Sequence, residues 1–410
     1  MAYTDRKIKR AIFGFRRFRD IRFREALFNV LNFPKQNKGV KLKIYDRDGI
    51  KLQEIGDDIQ NNILGKVRFE LIERGCGAFS FELKGLPSID IEFTHRVDIH
   101  LFGDVNPWFS GEVFKLPETG TTERPYKYSG FGYAYQLDTT RINQAYNSTA
   151  FPASSDREIG KIVKHLMTNF IEPNSDIVYN EFKIESPGFE VTDINFDRIS
   201  AKQALEKLKD IAQNFIYGVD EKRELFFKAV DSEVNQDAIR FVGKHINSFK
   251  PKQPDSSAVV NVIDIVSGLI TSGSNYIATV EDTDSQDTYG KRWAKLSIPE
   301  ALNINDAERW GNYRLSQLKN PKKSAKLKNV DIIDQTRIAA EGKARIFDID
   351  GTAHEFYIKK VIYTSSERGI SMDWHLGEID IPFEEGILDM IRDIKNQEVL
   401  QASNVEQLSS

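Results

Sequence analysis

From Val40 onward, apolar and polar residues alternate in short runs with a period of two. Val40, Leu42 and Ile44 point one way, and Asp46-Arg47-Asp48-Gly49 supplies turn chemistry. The alternation returns at Val67, Phe69 and Leu71, at Phe79, Phe81 and Leu83 after Gly75-Cys76-Gly77, and at Val97, Ile99 and Leu101. Segments Trp108 to Phe114 and Tyr126 to Leu137 complete a run of strands broken by Gly, Pro, Asn and Asp. Such spacing predicts a small barrel or sandwich over residues 37–145.

The period then changes to that of a helix. Ser155 with Glu158 reads as a capping box, and Ile159, Ile162, Val163, Leu166, Met167 and Phe170 make one apolar helical stripe. A second helix opens at Ser200 with Gln203 in the reciprocal position, burying Ala201, Leu205, Leu208, Ala212 and Phe215. Tyr217 and Val219, a turn at Asp220-Glu221-Lys222-Arg223, and Leu225, Phe227 and Ala229 predict a hairpin. Residues 146–250 are therefore expected to form an α+β insert.

Two prolines in Lys250-Pro251-Lys252-Gln253-Pro254-Asp255 mark a boundary. Beyond it, strands are expected at Val259 to Ile265, Tyr276 to Val280, Lys326 to Ile332, Lys343 to Ile349, Glu355 to Thr364 and Ser371 to Leu376. A helix from about Asn305 to Leu318, stopped by Asn320-Pro321, interrupts them, and Asp350-Gly351 signals a two-residue hairpin. This gives a second barrel-like module, residues 251–383. Residues 384–410 read as a terminal helix and polar tail, with Ile387, Ile391 and Ile394 at coiled-coil spacing. That helix suits packing on its own body or a trimeric bundle. The fold class expected is mainly β: two small barrel-like modules flanking an α/β module, plus a C-terminal helix.

Charge changes the picture at the N-terminus. Residues 1–36 carry a formal +7, and the whole chain −4, leaving −11 for the rest. The segment reads as a solvated basic arm, or as one that docks on an acidic surface of a neighbouring subunit. Its interface candidates are Arg10, Phe13, Phe15, Arg16, Arg17, Phe18 and Arg19, joined at the other end by Ile387, Ile391 and Ile394. Nucleic acid fits the arm less well, because its phenylalanines look like anchors; an interfacial membrane helix is a further alternative, although the apolar residues fit neither helical nor strand periodicity over their full run. No apolar stretch reaches the ~18 residues of a membrane span, and no uninterrupted apolar region or small-residue cleavage site follows the basic start, so a secretory signal is not expected.

The search for chemistry yields no catalytic, cofactor-binding or metal residue. Six scattered histidines lack HxH or HExxH spacing, and His95 and His100 are expected on opposite faces of one strand. The single Cys76, between glycines, is a nucleophile candidate but suits a small residue in a tight turn better. Asp46-Arg47-Asp48-Gly49 and Asp348-Ile349-Asp350-Gly351 superficially resemble calcium loops, yet lack the spaced ligands and terminal glutamate and read as hairpin turns. Phe131, Tyr133 and Tyr135 are expected along one face of a core strand rather than as a base- or sugar-stacking platform.

Three stretches resemble the phage tail baseplate hub family, which includes contractile-tail hubs, late-control D-like proteins and the N-terminal part of tail-associated proteins. Gly77 to Phe81, Arg96 to Ile99 and Trp108-Phe109-Ser110-Gly111-Glu112-Val113 resemble its first barrel. Ser200 to Leu205, followed by Asn214 to Asp220 and Leu225 to Phe227, is similar to its insert. Thr288 to Arg292, then Asn305-Asp306-Ala307 and the helix ending at Asn320-Pro321, looks like its second barrel. The resemblance spans roughly residues 40–380 and implies a non-enzymatic homotrimer in the virion tail tip, assembled in the host cytoplasm and needing no cofactor. It implies a ring of six similar modules that adapts a sixfold tube to a threefold tip and passes genomic DNA. Its implied neighbours are a tail tube or distal tail protein, a spike or fibre protein and a tape-measure protein. The basic arm departs from the family pattern. Competing expectations are a receptor- or carbohydrate-binding tip protein, with Trp108 in an exposed loop, and a peptidoglycan hydrolase component.

Overall fold

The alternating segments form strands because each buries one row of side chains and leaves the other polar. In β1 (Lys41–Tyr45) the buried residues are Leu42 and Ile44; in β3 (Leu64–Ile72) they are Leu64, Val67, Phe69 and Leu71. The structure, a computed structural model, describes residues 39–56, 63–117, 125–191, 193–247, 249–251, 256–269, 275–298, 304–366 and 369–377. The described residues, from Gly39 to Gly377, belong to one compact unit.

The first module comprises β1, β2 (Lys51–Gly56), β3, β4 (Gly75–Leu83), β5 (Arg96–His100), β6 (Phe109–Lys115) and β7 (Tyr126–Phe131), in the order β3-β4-β7-β6-β5-β1-β2. The middle unit starts with a 3-10 turn at Tyr133–Tyr135 and the short helix α1 (Gln136–Thr139). Strand β8 (Arg141–Tyr146) pairs with β9 (Ile194–Ser200), and α2 (Ile159–Leu166), α3 (Ala201–Ala212) and the hairpin β10 (Phe215–Val219) and β11 (Leu225–Ala229) follow. Next come β12 (Val234–Phe241), β13 (Val262–Leu269), β14 (Asn275–Glu281), α4 (Thr283–Tyr289), β15 (Trp293–Ile298) and α5 (Ile304–Leu318). Strands β16 (Ser324–Val330), β17 (Lys343–Phe347), β18 (Ala353–Ser366) and β19 (Gly369–Gly377) complete the described chain.

The architecture is mainly β, as the alternation predicts, but no closed barrel forms among the described residues. The reason lies in β3. Its free edge pairs not with β2 but with β18, from Lys360 opposite Ile72 to Ser365 opposite Val67. One continuous sheet thus joins the start and end of the chain, and residues 40–128 share a hydrophobic core with residues 325–376. Residues 133–227 hold a second core. Sheet β14-β13-β15 and α5 hold a third, so the segment 251–383 contributes to two cores.

Local departures from the sequence reading have local causes. The run Tyr126 to Leu137 is strand only to Phe131. The chain turns at Gly132, whose added Cβ would lie 2.2 Å from the Cys76 carbonyl oxygen. Phe131 is half exposed, Tyr133 is buried and Tyr135 sits in the 3-10 turn, so the three share no strand face. Helix α2 is capped by Glu158, which accepts from Lys161 N, and not by Ser155. Ser155 lies in a separate turn held by buried Arg157, whose guanidinium donates to Val191 O and Phe151 O. The Ser200–Gln203 capping box forms as expected. Helix α4, capped by Asp282, and strand β15 were invisible to the periodicity.

Both Asp-x-Asp-Gly turns are hairpins with three-residue loops, one residue longer than the Asp350-Gly351 pair suggests. Asp46 N donates to Ile50 O at 3.0 Å and Asp348 N to Thr352 O at 3.0 Å. Gly49 N and Gly351 N return to Asp46 O and Asp348 O, while Ile50 N and Thr352 N donate to the Asp46 and Asp348 carboxylates at 2.8 and 2.9 Å. Gly49 (φ +80°) and Gly351 (φ +89°) take the left-handed position that closes such loops. The flanking residues match too: Lys41, Ile44 and Tyr45 correspond to Lys343, Ile346 and Phe347. One hairpin is used twice.

Candidate functional site

The ten interface candidates, Arg10, Phe13, Phe15, Arg16, Arg17, Phe18, Arg19, Ile387, Ile391 and Ile394, lie outside the described residues, as do the segment expected to form a terminal helix and residues 118–124. Trp108 is described and is only 1% exposed. Its indole donates to Asp104 Oδ2 at 3.2 Å and meets Phe102 and Tyr363 edge-on. The loop therefore points its aromatic residue inward, which removes the main support for a carbohydrate-binding tip. Cys76 is buried on β4, where burial pushes its thiol up to about 12, unsuited to nucleophilic attack. His95 and His100 bond to separate loops, through Glu92 N and Asp104 O. Among the described residues no group of three or more His, Cys, Asp or Glu is placed to hold a metal.

What the structure does build is a polar cleft of about 430 Å³ where the first module meets the middle unit. Its lip is the Asp46-Arg47-Asp48-Gly49 hairpin; Arg96, Glu112, Tyr135, Gln136 and Asp176 line it. Glu112 lies in Phe109-Ser110-Gly111-Glu112-Val113, and two glycines explain that motif. An added Cβ at Gly111 would lie 2.4 Å from Phe131 O, and one at Gly130 1.7 Å from Glu112 O. Only glycine lets β6 and β7 approach so closely, and the approach carries Glu112 into a buried position.

Buried polar atoms need partners, and the carboxylate finds them in the chain leaving β7. The Tyr135 hydroxyl donates to Glu112 Oε2. Gln136 Nε2 donates to Glu112 Oε1 at 3.0 Å and to Asp176 Oδ2 at 2.9 Å, and Gln136 Oε1 accepts from Asp176 N at 2.8 Å. One amide thus clamps two carboxylates from different units. Burial pushes Glu112 up to about 7, with the Asp176 carboxylate adding to the shift and the Tyr135 and Gln136 hydrogen bonds opposing it. The cations nearby are engaged elsewhere. Arg96 pairs with Asp98 at 3.4 Å and stacks on Tyr45, Arg223 lies over Tyr133, and Arg47 Nε donates to Thr94 Oγ1. The sequence reading passed over Glu112, Tyr135, Gln136 and Asp176. The signal available was one acidic residue at a core position of a strand.

This geometry predicts a pH dependence. A carboxyl whose folded value lies above its unfolded one favours the folded state at low pH. That contribution is lost as pH rises through about 7. Between pH 5 and 8 the loss should be on the order of 2 kcal/mol. Urea midpoints of wild type and Glu112→Gln at both pH values should show the slope in the former and its loss in the latter. Equal slopes would show that Glu112 is ionised throughout.

No protein-family model matches the chain, and no curated protein matches it by sequence. Solved structures do. The 43 kDa tail protein of prophage MuSo2 from Shewanella oneidensis is similar at TM-score 0.58 and 13% identity, over 82% of this chain and 97% of that one. A tail protein from Neisseria meningitidis MC58 is similar at TM-score 0.58 and 11% identity, over 83% and 96%. Prophage tail protein gp18 from Listeria monocytogenes EGD-e is similar at TM-score 0.54 and 12% identity, over 87% and 99%. With nearly the full length of each of these proteins matched, the chain has the fold of prophage tail proteins.

Proposed function

We propose that this chain is a non-enzymatic structural subunit of a phage tail, a baseplate hub at the tail tip. Three copies form a ring that joins a sixfold tube to a threefold tip. The observation that carries this reading is the repeated hairpin. Residues 41–50 and 343–352 share five of ten residues and the same turn hydrogen bonds, one in each β module. Three chains with two such modules present six similar units around one axis, so a single interface geometry meets a sixfold partner while true threefold symmetry is kept. Open edges, such as that of β2, are covered in this arrangement by neighbouring copies, which completes the barrel-like walls. The body's net acidic charge suits a channel along which DNA slides without sticking. A tube or distal tail protein binds one face and a spike or fibre protein the other, with tape-measure protein and genomic DNA in transit.

Light scattering on the purified full chain tests the assembly. A concentration-independent trimer of the 46.9 kDa chain is expected, with carboxylates lining the channel in its threefold-averaged map. A stable dimer, or a basic channel, would overturn the reading.

A further inference from the structure

The cleft at Glu112 and Asp176 has the composition of a receptor for arginine. Its two carboxylates take their hydrogen bonds from Tyr135 and Gln136, and the neighbouring guanidinium groups are committed to Asp98, Tyr45, Thr94 and Tyr133. Four carboxylates, Asp46, Asp48, Glu112 and Asp176, line the cleft against three guanidinium groups, of which Arg96 is paired with Asp98, so it keeps a small excess of acceptor oxygens that a planar, multiply donating guanidinium can use. Beside it lies an apolar rim. Phe131 is 50% exposed and Phe114 39%; their rings meet edge-on at 5.7 Å, and Phe114 contacts the cleft-lining Tyr135 at 4.5 Å. Exposed aromatic faces next to carboxylates suit a segment that interleaves arginine with phenylalanine.

The chain carries one such segment: Arg10, Phe13, Phe15, Arg16, Arg17, Phe18 and Arg19, within an N-terminal stretch of formal charge +7 ahead of an acidic body. We propose that the cleft at Glu112 and Asp176 receives residues 10–19 of a second copy of this chain. Charge complementarity favours the pairing, and the 38 residues ahead of Gly39 are long enough to reach a neighbour, since an extended chain spans about 3.3 Å per residue. A ring in which each copy meets the next gives every cleft one arm. The inference rests on the ring proposed above and adds to it the contact that selects a neighbour. Docking a guanidinium favours the ionised carboxyl of Glu112, beside which Asp176, Tyr135 and Gln136 already lie.

The test uses full-length protein in two preparations: Phe15→Cys grown in heavy nitrogen and Asp48→Cys unlabelled. Asp48 is exposed at the lip, and buried Cys76 is shielded from the reagent. After the two preparations are unfolded in urea, refolded together and treated with a short bismaleimide, mass spectrometry should find residues 15 and 48 joined between a heavy and a light chain. Yield should fall at least tenfold with Arg16→Glu plus Arg17→Glu in the first preparation, or with Glu112→Gln plus Asp176→Asn in the second. The arm variant leaves the described body untouched, so its result stands even where the cleft variant is unstable. No cross-link between residues 15 and 48, or a yield indifferent to the arm charges, would overturn the proposal. Light scattering on the same samples separates the two ideas. A trimer without the cross-link removes the arm contact alone; a monomer without it removes the ring as well.

Discussion

Replacing Trp108 with alanine should lower the free energy of unfolding by about 3–5 kcal/mol, a large part of the roughly 5–15 kcal/mol that holds a typical domain. The indole sits where two distant parts of the chain meet. It touches Phe102 from its own module and Tyr363 from β18, and Tyr363 in turn stacks on Phe69 at 5.0 Å. The Trp108 carbonyl accepts from Arg337 Nε at 3.0 Å, and Arg337 also pairs with Glu221 of the β10–β11 turn at 2.9 Å. Truncation leaves a cavity at the seam of the shared core and strips Asp104 of its indole donor. Val105 in the same loop is 85% exposed, and Val105→Ala should change stability by less than about 0.5 kcal/mol. Urea denaturation of the two variants makes the comparison. If they unfold alike, the seam does not depend on the indole. If Trp108→Ala keeps full stability and loses attachment to host cells, the carbohydrate-binding reading returns.

Gly130→Ala should cost more than about 3 kcal/mol, for a different reason. Its Cβ would stand 1.7 Å from Glu112 O and 2.7 Å from a Phe79 ring carbon, distances that no rotamer relieves because the first neighbour is backbone. Strands β6 and β7 must then part where Val113 pairs with Gly130 and Glu112 with Phe131. The change reaches the cleft, because Glu112 returns towards solvent and its carboxyl towards the ordinary range. Hydrogen exchange should speed up along β6 and β7, and the stability slope between pH 5 and 8 should flatten. Gly103→Ala is the control. Unlike Gly130, it sits at positive φ, +78°, and its Cβ would meet open space, so the cost is the backbone conformation alone, about 1 kcal/mol. A loss at 130 no larger than at 103 would show that β6 and β7 relax around the added methyl and that their close approach does not require glycine.

Much of the fold was legible because it is local. Alternation placed β1, β3, β4 and β17 to β19 close to their true bounds, since a strand with one buried face writes that face into every second residue. Ser200 and Gln203 announced α3 through a bond between neighbours. The twofold use of one hairpin also stood in the sequence, as Lys41 to Gly49 beside Lys343 to Gly351, although only the shared hydrogen bonds made it more than a turn signal. The cleft was far less legible. A single Glu in an apolar strand is an ambiguous mark, and nothing near it in the chain announces Asp176.

By itself, then, the sequence determined which segments are strands and helices, where several of them stop, and that the charge divides into a basic arm and an acidic body. Only the tertiary structure decided that β3 pairs with β18 instead of closing a barrel with β2, and that one core spans both ends of the described chain while residues 260–318 keep their own. Periodicity tells a residue which side to bury but not against what. Partners such as Lys360 and Glu70, 290 positions apart, are chosen by which edges and apolar faces remain uncovered once the local elements exist, and that is a property of the assembled chain.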